Sequence, residues 1–141
     1  MKNNNLNIPN SFYRISVKAL ILDEKKRFLL TLEDNGAWEL PGGGLDFNET
    51  SQECLIREIK EEMGIDVISI NKNPSYFITV QHSKGKHWIA NIVYEVVVKN
   101  LNFTPSDECV EARFFNKEEA LKEKLFPNVT EFIKLYNPNS H

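Results

Sequence analysis

The sequence predicts an α/β domain, and three observations carry that prediction. The chain has 141 residues, 41% apolar and 26% charged, enough to close one core and too few for two. Strand-like stretches of alternating or continuous apolar residues recur from Tyr13 onward. Two segments, about 50–63 and 127–136, have helical spacing instead. One domain over residues 1–141 is expected, with an ordered core from about 12 to 136.

The opening "MKNNNLNIPNS" is Asn-rich and has no apolar core of a secretory leader. It is expected to fray, as is the closing "YNPNSH". "YRISVKALIL" (13–22) alternates and then turns continuously apolar, "DEKK" reads as a turn and "RFLLTL" as a returning strand, so a β-hairpin is expected. "AWEL" is a short strand ending at "PGGG", where Pro41 fixes φ and the glycines admit conformations closed to other residues. A tight loop should start there.

Thr50 to Glu53, "TSQE", has the form of a capping box, so a helix should begin there and run to about Met63, with Gly64 as its stop. "SYFITVQH" and "HWIANIVYEVVV", joined by the polar turn "SKGK", predict a second hairpin, and "EARFF" a shorter strand. "KEEALKEKL" and the segment after Pro127 are helical, the latter by the spacing of Val129, Phe132, Ile133 and Tyr136.

A formal net charge of −3 gives no electrostatic reason to expect nucleic acid or an anionic membrane as a partner. No apolar run approaches the roughly 20 residues that span a bilayer. A soluble, cytoplasmic protein is expected, monomeric or homodimeric. Cys54 and Cys109 have neither CxxC spacing nor a disulfide-scaffold pattern, so both should be free thiols.

The helix after Thr50 is unusual in its charge. Leu55, Ile56, Ile59 and Met63 fall on one stripe, whereas Glu58, Glu61 and Glu62 crowd onto a different face beside the glycine-rich loop. Such crowding is costly unless a cation sits among the carboxylates, and a hard cation, Mg²⁺ or Mn²⁺, suits oxygen donors. A solvated acidic face is the alternative on the helix alone.

The spacing around it narrows the choice. From Gly43 come five residues, Glu49, seven residues, and then Arg57-Glu58-Ile59-Lys60-Glu61-Glu62-Met63-Gly64-Ile65. This resembles the Nudix box, GX5EX7REUXEEXGU, with U a bulky aliphatic residue, and every specified position matches. "WELPGGGL" before the box, the long strands after it and "EARFF" resemble the layout of the same family over roughly residues 13–136. The resemblance implies an α/β/α sandwich around a mixed β-sheet.

The resemblance also implies a metal-dependent hydrolase that cleaves the diphosphate linkage of a nucleoside diphosphate derivative. Conversion of a nucleoside triphosphate to monophosphate and pyrophosphate is the leading expectation. A nucleotide-sugar, ADP-ribose or dinucleotide pyrophosphatase is the alternative within the class, and a non-catalytic nucleotide-binding regulatory module the alternative outside it. Carried over position by position, Glu58, Glu61 and Glu62 would hold Mg²⁺ or Mn²⁺ with the Gly43 carbonyl, and Glu58 or Glu61 would serve the attacking water. Arg57 and Glu49 would orient loop and helix.

Beyond the box, Glu111 resembles an additional metal-binding Glu, with Asp107 and Glu108 nearby as other candidate bases. Asn128 stands six residues before Lys134, as an Asn does in the MutT-like branch, and would read a base; capping the last helix is its other reading. Trp38 is a candidate base-stacking residue, although Trp38, Tyr76, Phe77 and Trp88 all suit a core. Lys84, with His82, Lys86 and His87, would reach phosphate from a loop tip or be plain hairpin polarity. Two departures from the MutT-like pattern remove cations: Gly44 stands where that branch has Lys, and Leu32 and Glu33 where it has Arg.

Overall fold

Alternation along the first strand sets two faces. In the computed structural model, which describes residues 12–82 and 84–141, Val17 and Ala19 pack to one side and Leu20 to the other. The expected fraying of the first residues lies outside the described residues. The elements are β1 (Tyr13–Leu20), β2 (Phe28–Leu32), β3 (Trp38–Glu39), β4 (Gly42–Gly44), α1 (Ser51–Met63), β5 (Val67–Ile70), β6 (Tyr76–Gln81), β7 (Trp88–Val98), β8 (Glu111–Phe115), α2 (Lys117–Ala120) and α3 (Pro127–Leu135).

The larger sheet runs β4-β1-β7-β5, with β6 also on β7. β1 and β7 are parallel, and the other pairs are antiparallel, so the sheet is mixed. At eleven residues, β7 is long enough to pair β1 along one side and β6 and then β5 along the other. A smaller antiparallel sheet has the order β3-β2-β8. α1 buries Leu55, Ile59 and Met63 against Val17, Ala19, Tyr94 and Val96. α3 buries Val129, Phe132 and Ile133 with Leu20, Ile78 and Val93 in the other core.

The hairpin of "SYFITVQH" and "HWIANIVYEVVV" forms as β6 and β7. The first expected hairpin does not. β1 and β2 belong to different sheets, and their arms meet only next to the turn, through the bridge Leu22–Phe28 and bonds from Asp23 N to Arg27 O and from Leu29 N to Ile21 O. The Asp23 carboxylate holds the turn itself, accepting from the Lys25 and Arg27 amides and from Arg27 Nε. No ladder is needed to close it.

Other expectations shift for physical reasons. "PGGG" contains the short strand β4, with Gly42, Gly43 and Gly44 opposite Lys18, Val17 and Ser16. Gly42 has φ +127°, and a Cβ there would stand 2.1 Å from the Val17 carbonyl oxygen, so β4 can lie this close to β1 only as glycine. Strand β5 was not anticipated, and α2 is a single capped turn instead of a helix through Leu125. Phe77 and Trp88 are exposed, not core, whereas Trp38 is buried. The chain end packs: His141 lies 2.8 Å from both Glu95 and the Tyr76 hydroxyl and stacks on Tyr136.

Candidate active site

Helix α1 is placed by its ends. Thr50 and Glu53 form the reciprocal capping box, and Gly64, in the left-handed conformation, donates its N–H to Lys60 O. Between these caps the three box carboxylates sit at graded depths. Glu61 has a 53% exposed side chain, Glu58 15%, and Glu62 as a residue is 5% exposed. The single acidic face expected from helical spacing is therefore divided, because Glu62 falls on the buried side between Leu55 and Met63. The expected apolar stripe loses Ile56, which is half exposed.

β4 fits between those depths. Glu62 Oε1 accepts the Gly42 N–H at 2.9 Å, and a Cβ on Gly43 would strike Glu58 Oε1 at 1.9 Å. Burial raises the Glu62 carboxyl to about 8, against the pull of Lys18 and the Gly42 N–H. Burial also raises Glu58; the neighbouring Arg57 opposes that rise and Glu61 adds to it. Two acids are thus held partly out of water with too little positive charge around them.

Arg57 works on the other flank. Its guanidinium holds Glu49 by a forked pair of bonds, Nε to Oε2 at 2.6 Å and Nη2 to Oε1 at 2.9 Å, and also reaches Gly44 O and Glu61. The same Glu49 oxygen accepts the Asp46 N–H. Its carboxyl is drawn down to about 2, first by the Arg57 bonds. The loop from Gly44 to Glu49 is thereby tied to the helix. Cys54 fills the space beneath, fully buried, with Sγ 3.6–3.7 Å from the Gly43 and Gly44 oxygens.

On the opposite face of the sheet lies a cleft of about 110 Å³ lined by Ser16, Lys18, Glu39, Asn91, Asn128 and the base of the β6–β7 hairpin at Gln81 and His82. Asn128 does not cap α3: the cap position is Phe126, with no side-chain bond to the helix start. Its buried amide nitrogen donates to Glu39 Oε1 at 2.7 Å and lies 3.3 Å from Asn91 Oδ1. Glu39 Oε2 faces Lys18 Nζ at 3.6 Å. A buried polar group without partners is costly; Asn128 is satisfied by Glu39 and Asn91, while Lys18 is held more loosely beside Glu39, and the cleft wall stays polar.

A family model, the NUDIX domain, matches residues 12–136. The chain belongs to the Nudix family. It is 26% identical to the MutT protein of Methanosarcina mazei, with TM-score 0.78, over 93% of this chain and 97% of that one. It is also 37% identical over 59 residues to an RNA pyrophosphohydrolase of Ruthia magnifica, covering 41% of this chain and 33% of the relative. With an 8-oxo-dGTP diphosphatase of Proteus vulgaris it shares 59% over 32 residues, 23% of this chain and 29% of the relative. The matched stretch spans about a third of the length of these curated relatives. Its mixed sheet between α1 and α3 is the α/β/α arrangement expected of a Nudix domain.

The Nudix box carries an all-oxygen donor set, Glu58, Glu61, Glu62 and the Gly43 carbonyl, which fits a hard divalent cation. Two of the acids are under-neutralised, which also fits. Among the described residues no three acidic, His or Cys side chains already converge to hold an ion, and Glu61 is turned toward Arg57 Nη1 at 3.2 Å. The set is matched in chemistry and not closed in geometry.

Outside the box the expected residues scatter. Trp38 is 3% exposed, donates Nε1 to Glu123 and packs edge-on against Phe115 under Arg113, so no face is left to stack on a base. Lys84 is exposed at the hairpin tip, where its amide donates to His82 Nδ1; His82, not Lys84, lines the cleft. Glu111 faces Arg113 at 3.2–3.3 Å, whereas the charge of Glu108 is felt by Glu58 and Glu33. Lys18, Glu39 and Asn91 were missed. A signal existed for two of them, since Lys18 stands between Val17 and Ala19 and Asn91 between Ala90 and Ile92, each a polar residue set among apolar neighbours.

Proposed function

We propose that this Nudix domain hydrolyses the phosphoanhydride linkage of a nucleoside diphosphate derivative, with conversion of a nucleoside triphosphate to monophosphate and pyrophosphate as its leading reaction. The observation that carries the reading is the position of β4. The three-glycine edge separates under-neutralised Glu58 and Glu62 on one side from the Asn128 cleft on the other. A nucleotide lying over that edge would set its base in the cleft and its phosphates toward the box.

Mg²⁺ or Mn²⁺ held by Glu58, Glu61, Glu62 and the Gly43 carbonyl would neutralise phosphate oxygens and acidify a bound water. Glu58, largely shielded and raised by that burial, is suited to take a proton from an attacking water. Arg57 and Glu49 fix the loop that presents Gly43, a positioning role. Asn128, with Glu39 and Asn91 fixing its amide, would meet the base edge with its remaining oxygen.

The test is product identification across nucleoside triphosphates, oxidised nucleotides, ADP-ribose, nucleotide sugars, dinucleoside polyphosphates and triphosphate-ended RNA, with Mg²⁺ or Mn²⁺. Monophosphate and pyrophosphate from a triphosphate, abolished by EDTA, is the expected result. Preference for a nucleotide sugar or dinucleotide would replace the leading reaction. Metal-dependent nucleotide binding with no turnover anywhere would make the domain a binding module.

A further inference from the structure

The two missing loop cations raise the question of what else could face the substrate's phosphates. The cleft-facing side of β1 answers it. Arg14, Ser16 and Lys18 alternate on that face, and Ser16 and Lys18 lie opposite Gly44 and Gly42 of the β4 edge. The Arg14 guanidinium packs over Gly44 so closely that a Cβ there would meet Nη2 at 2.3 Å. It is anchored by Nη1 to Leu45 O at 2.7 Å and is otherwise exposed. A longer side chain at position 44 would have to push this guanidinium aside, so the glycine leaves Arg14 its place over the β4 edge.

Lys18 lies further in. It is 5% exposed, with Nζ 3.4 Å from the Leu40 and Gly42 oxygens and 3.6 Å from Glu39. Charge-assisted bonds are usually about 2.7–2.9 Å, so this ammonium is surrounded by acceptors and tightly bound to none. It is a cation in the cleft wall, on the substrate side of the glycine edge.

We propose that Arg14 and Lys18, with the Ser16 hydroxyl between them, form the phosphate-binding stripe of this domain, supplying from β1 the positive charge that the loop and the end of β2 lack. The ligand class is the polyphosphate chain of the nucleotide, and the inference rests on the nucleotide-hydrolase reading above. Arg14, exposed at the rim, would contact the outer phosphates, and Lys18 the phosphate nearest the base cleft.

Calorimetric binding of inorganic tripolyphosphate with Mg²⁺, alongside KM and kcat for the best triphosphate, tests it. Arg14→Ala should weaken tripolyphosphate binding and raise KM by about tenfold or more, the size expected for a lost charge-assisted contact, with binding of the unphosphorylated nucleoside unchanged. Arg14→Lys should recover part of the loss, whereas Arg14→Gln, which can still donate to Leu45 O but carries no charge, should not. Lys18→Met can fail to fold, because Lys18 is buried among carboxylates, so Arg14 decides. Unchanged tripolyphosphate binding by Arg14→Ala, or no binding by the wild type, overturns the stripe. If the wild type turns over no nucleotide and Arg14→Ala still loses tripolyphosphate, the hydrolase reading falls and the phosphate site stands.

Discussion

The two flanks of the Nudix box treat negative charge in opposite ways. On the outer flank Glu49 is held by a forked Arg57 and a backbone N–H, and its carboxyl is drawn down to about 2. On the inner flank Glu62 is buried, accepts one backbone N–H and is pushed up to about 8. The same residue type thus serves two purposes: the outer acid is already neutralised and ties loop to helix, while the inner acid is left short of positive charge. A fold keeps such an uncompensated group only where something else completes it.

The sharpest way to break the contrast is Glu62→Gln. Mg²⁺-dependent turnover should fall by orders of magnitude, since a charged ligand is lost, whereas metal-free stability above pH 4.5 should rise because the unfolded chain no longer gains by ionising this carboxyl. Turnover equal to wild type in a steady-state assay would remove Glu62 from the ligand set. The outer flank should respond more mildly. Arg57→Ala should cost about 10- to 100-fold in activity or metal affinity, the usual size for a group that orients a ligand, with Glu49 returning to an ordinary carboxyl titration by NMR.

The pH dependence of stability separates the flanks again. Glu has an ordinary value of 4.5, and Glu62 sits near 8 when folded. Below 4.5 it is protonated in both states; between 4.5 and 8 only the unfolded chain releases the proton, so metal-free stability declines as pH rises through that window, by on the order of a few kcal/mol. Glu49 acts oppositely, its contribution being present above 4.5 and lost as pH falls toward 2. Thermal melts of metal-free protein should show both slopes, and Glu62→Gln should flatten the decline between 4.5 and 8 alone.

Smaller effects are expected further away. Asn128→Ala should change the ranking of bases in the nucleotide panel, whereas an equal fall for all bases would leave it only a packing role. Glu111→Gln, whose carboxylate faces Arg113, should alter turnover by less than Glu108→Gln, whose charge reaches Glu58.

What could be read from the sequence follows from distance along the chain. The box was legible because Gly43, Glu49, Arg57 and the carboxylates lie on one loop and one helix, where spacing fixes neighbours. The caps of α1, Thr50 with Glu53 and Gly64, were legible for the same reason. Glu62's burial was not, because a helical wheel does not know that β4 and the segment at Ser106, whose hydroxyl donates to Glu62 O, cover that side. The cleft joins Asn128 to Glu39 across 89 positions and to Asn91 across 37. No local pattern encodes such a meeting, and so the position of Asn128 after Pro127 favoured a cap that the structure does not form. Trp38 was misplaced because an aromatic's apolar face suits a core and a base alike until neighbours such as Phe115 and Arg113 are known.

The central claim is that the inner acids are under-neutralised in order to hold a divalent cation. Its most direct test is a Mn²⁺ titration of melting temperature at pH 8 for the wild type and Glu62→Gln side by side. The wild type should begin lower and rise saturably with Mn²⁺, while Glu62→Gln should begin higher and respond weakly. Equal, parallel responses in the two proteins would contradict the claim.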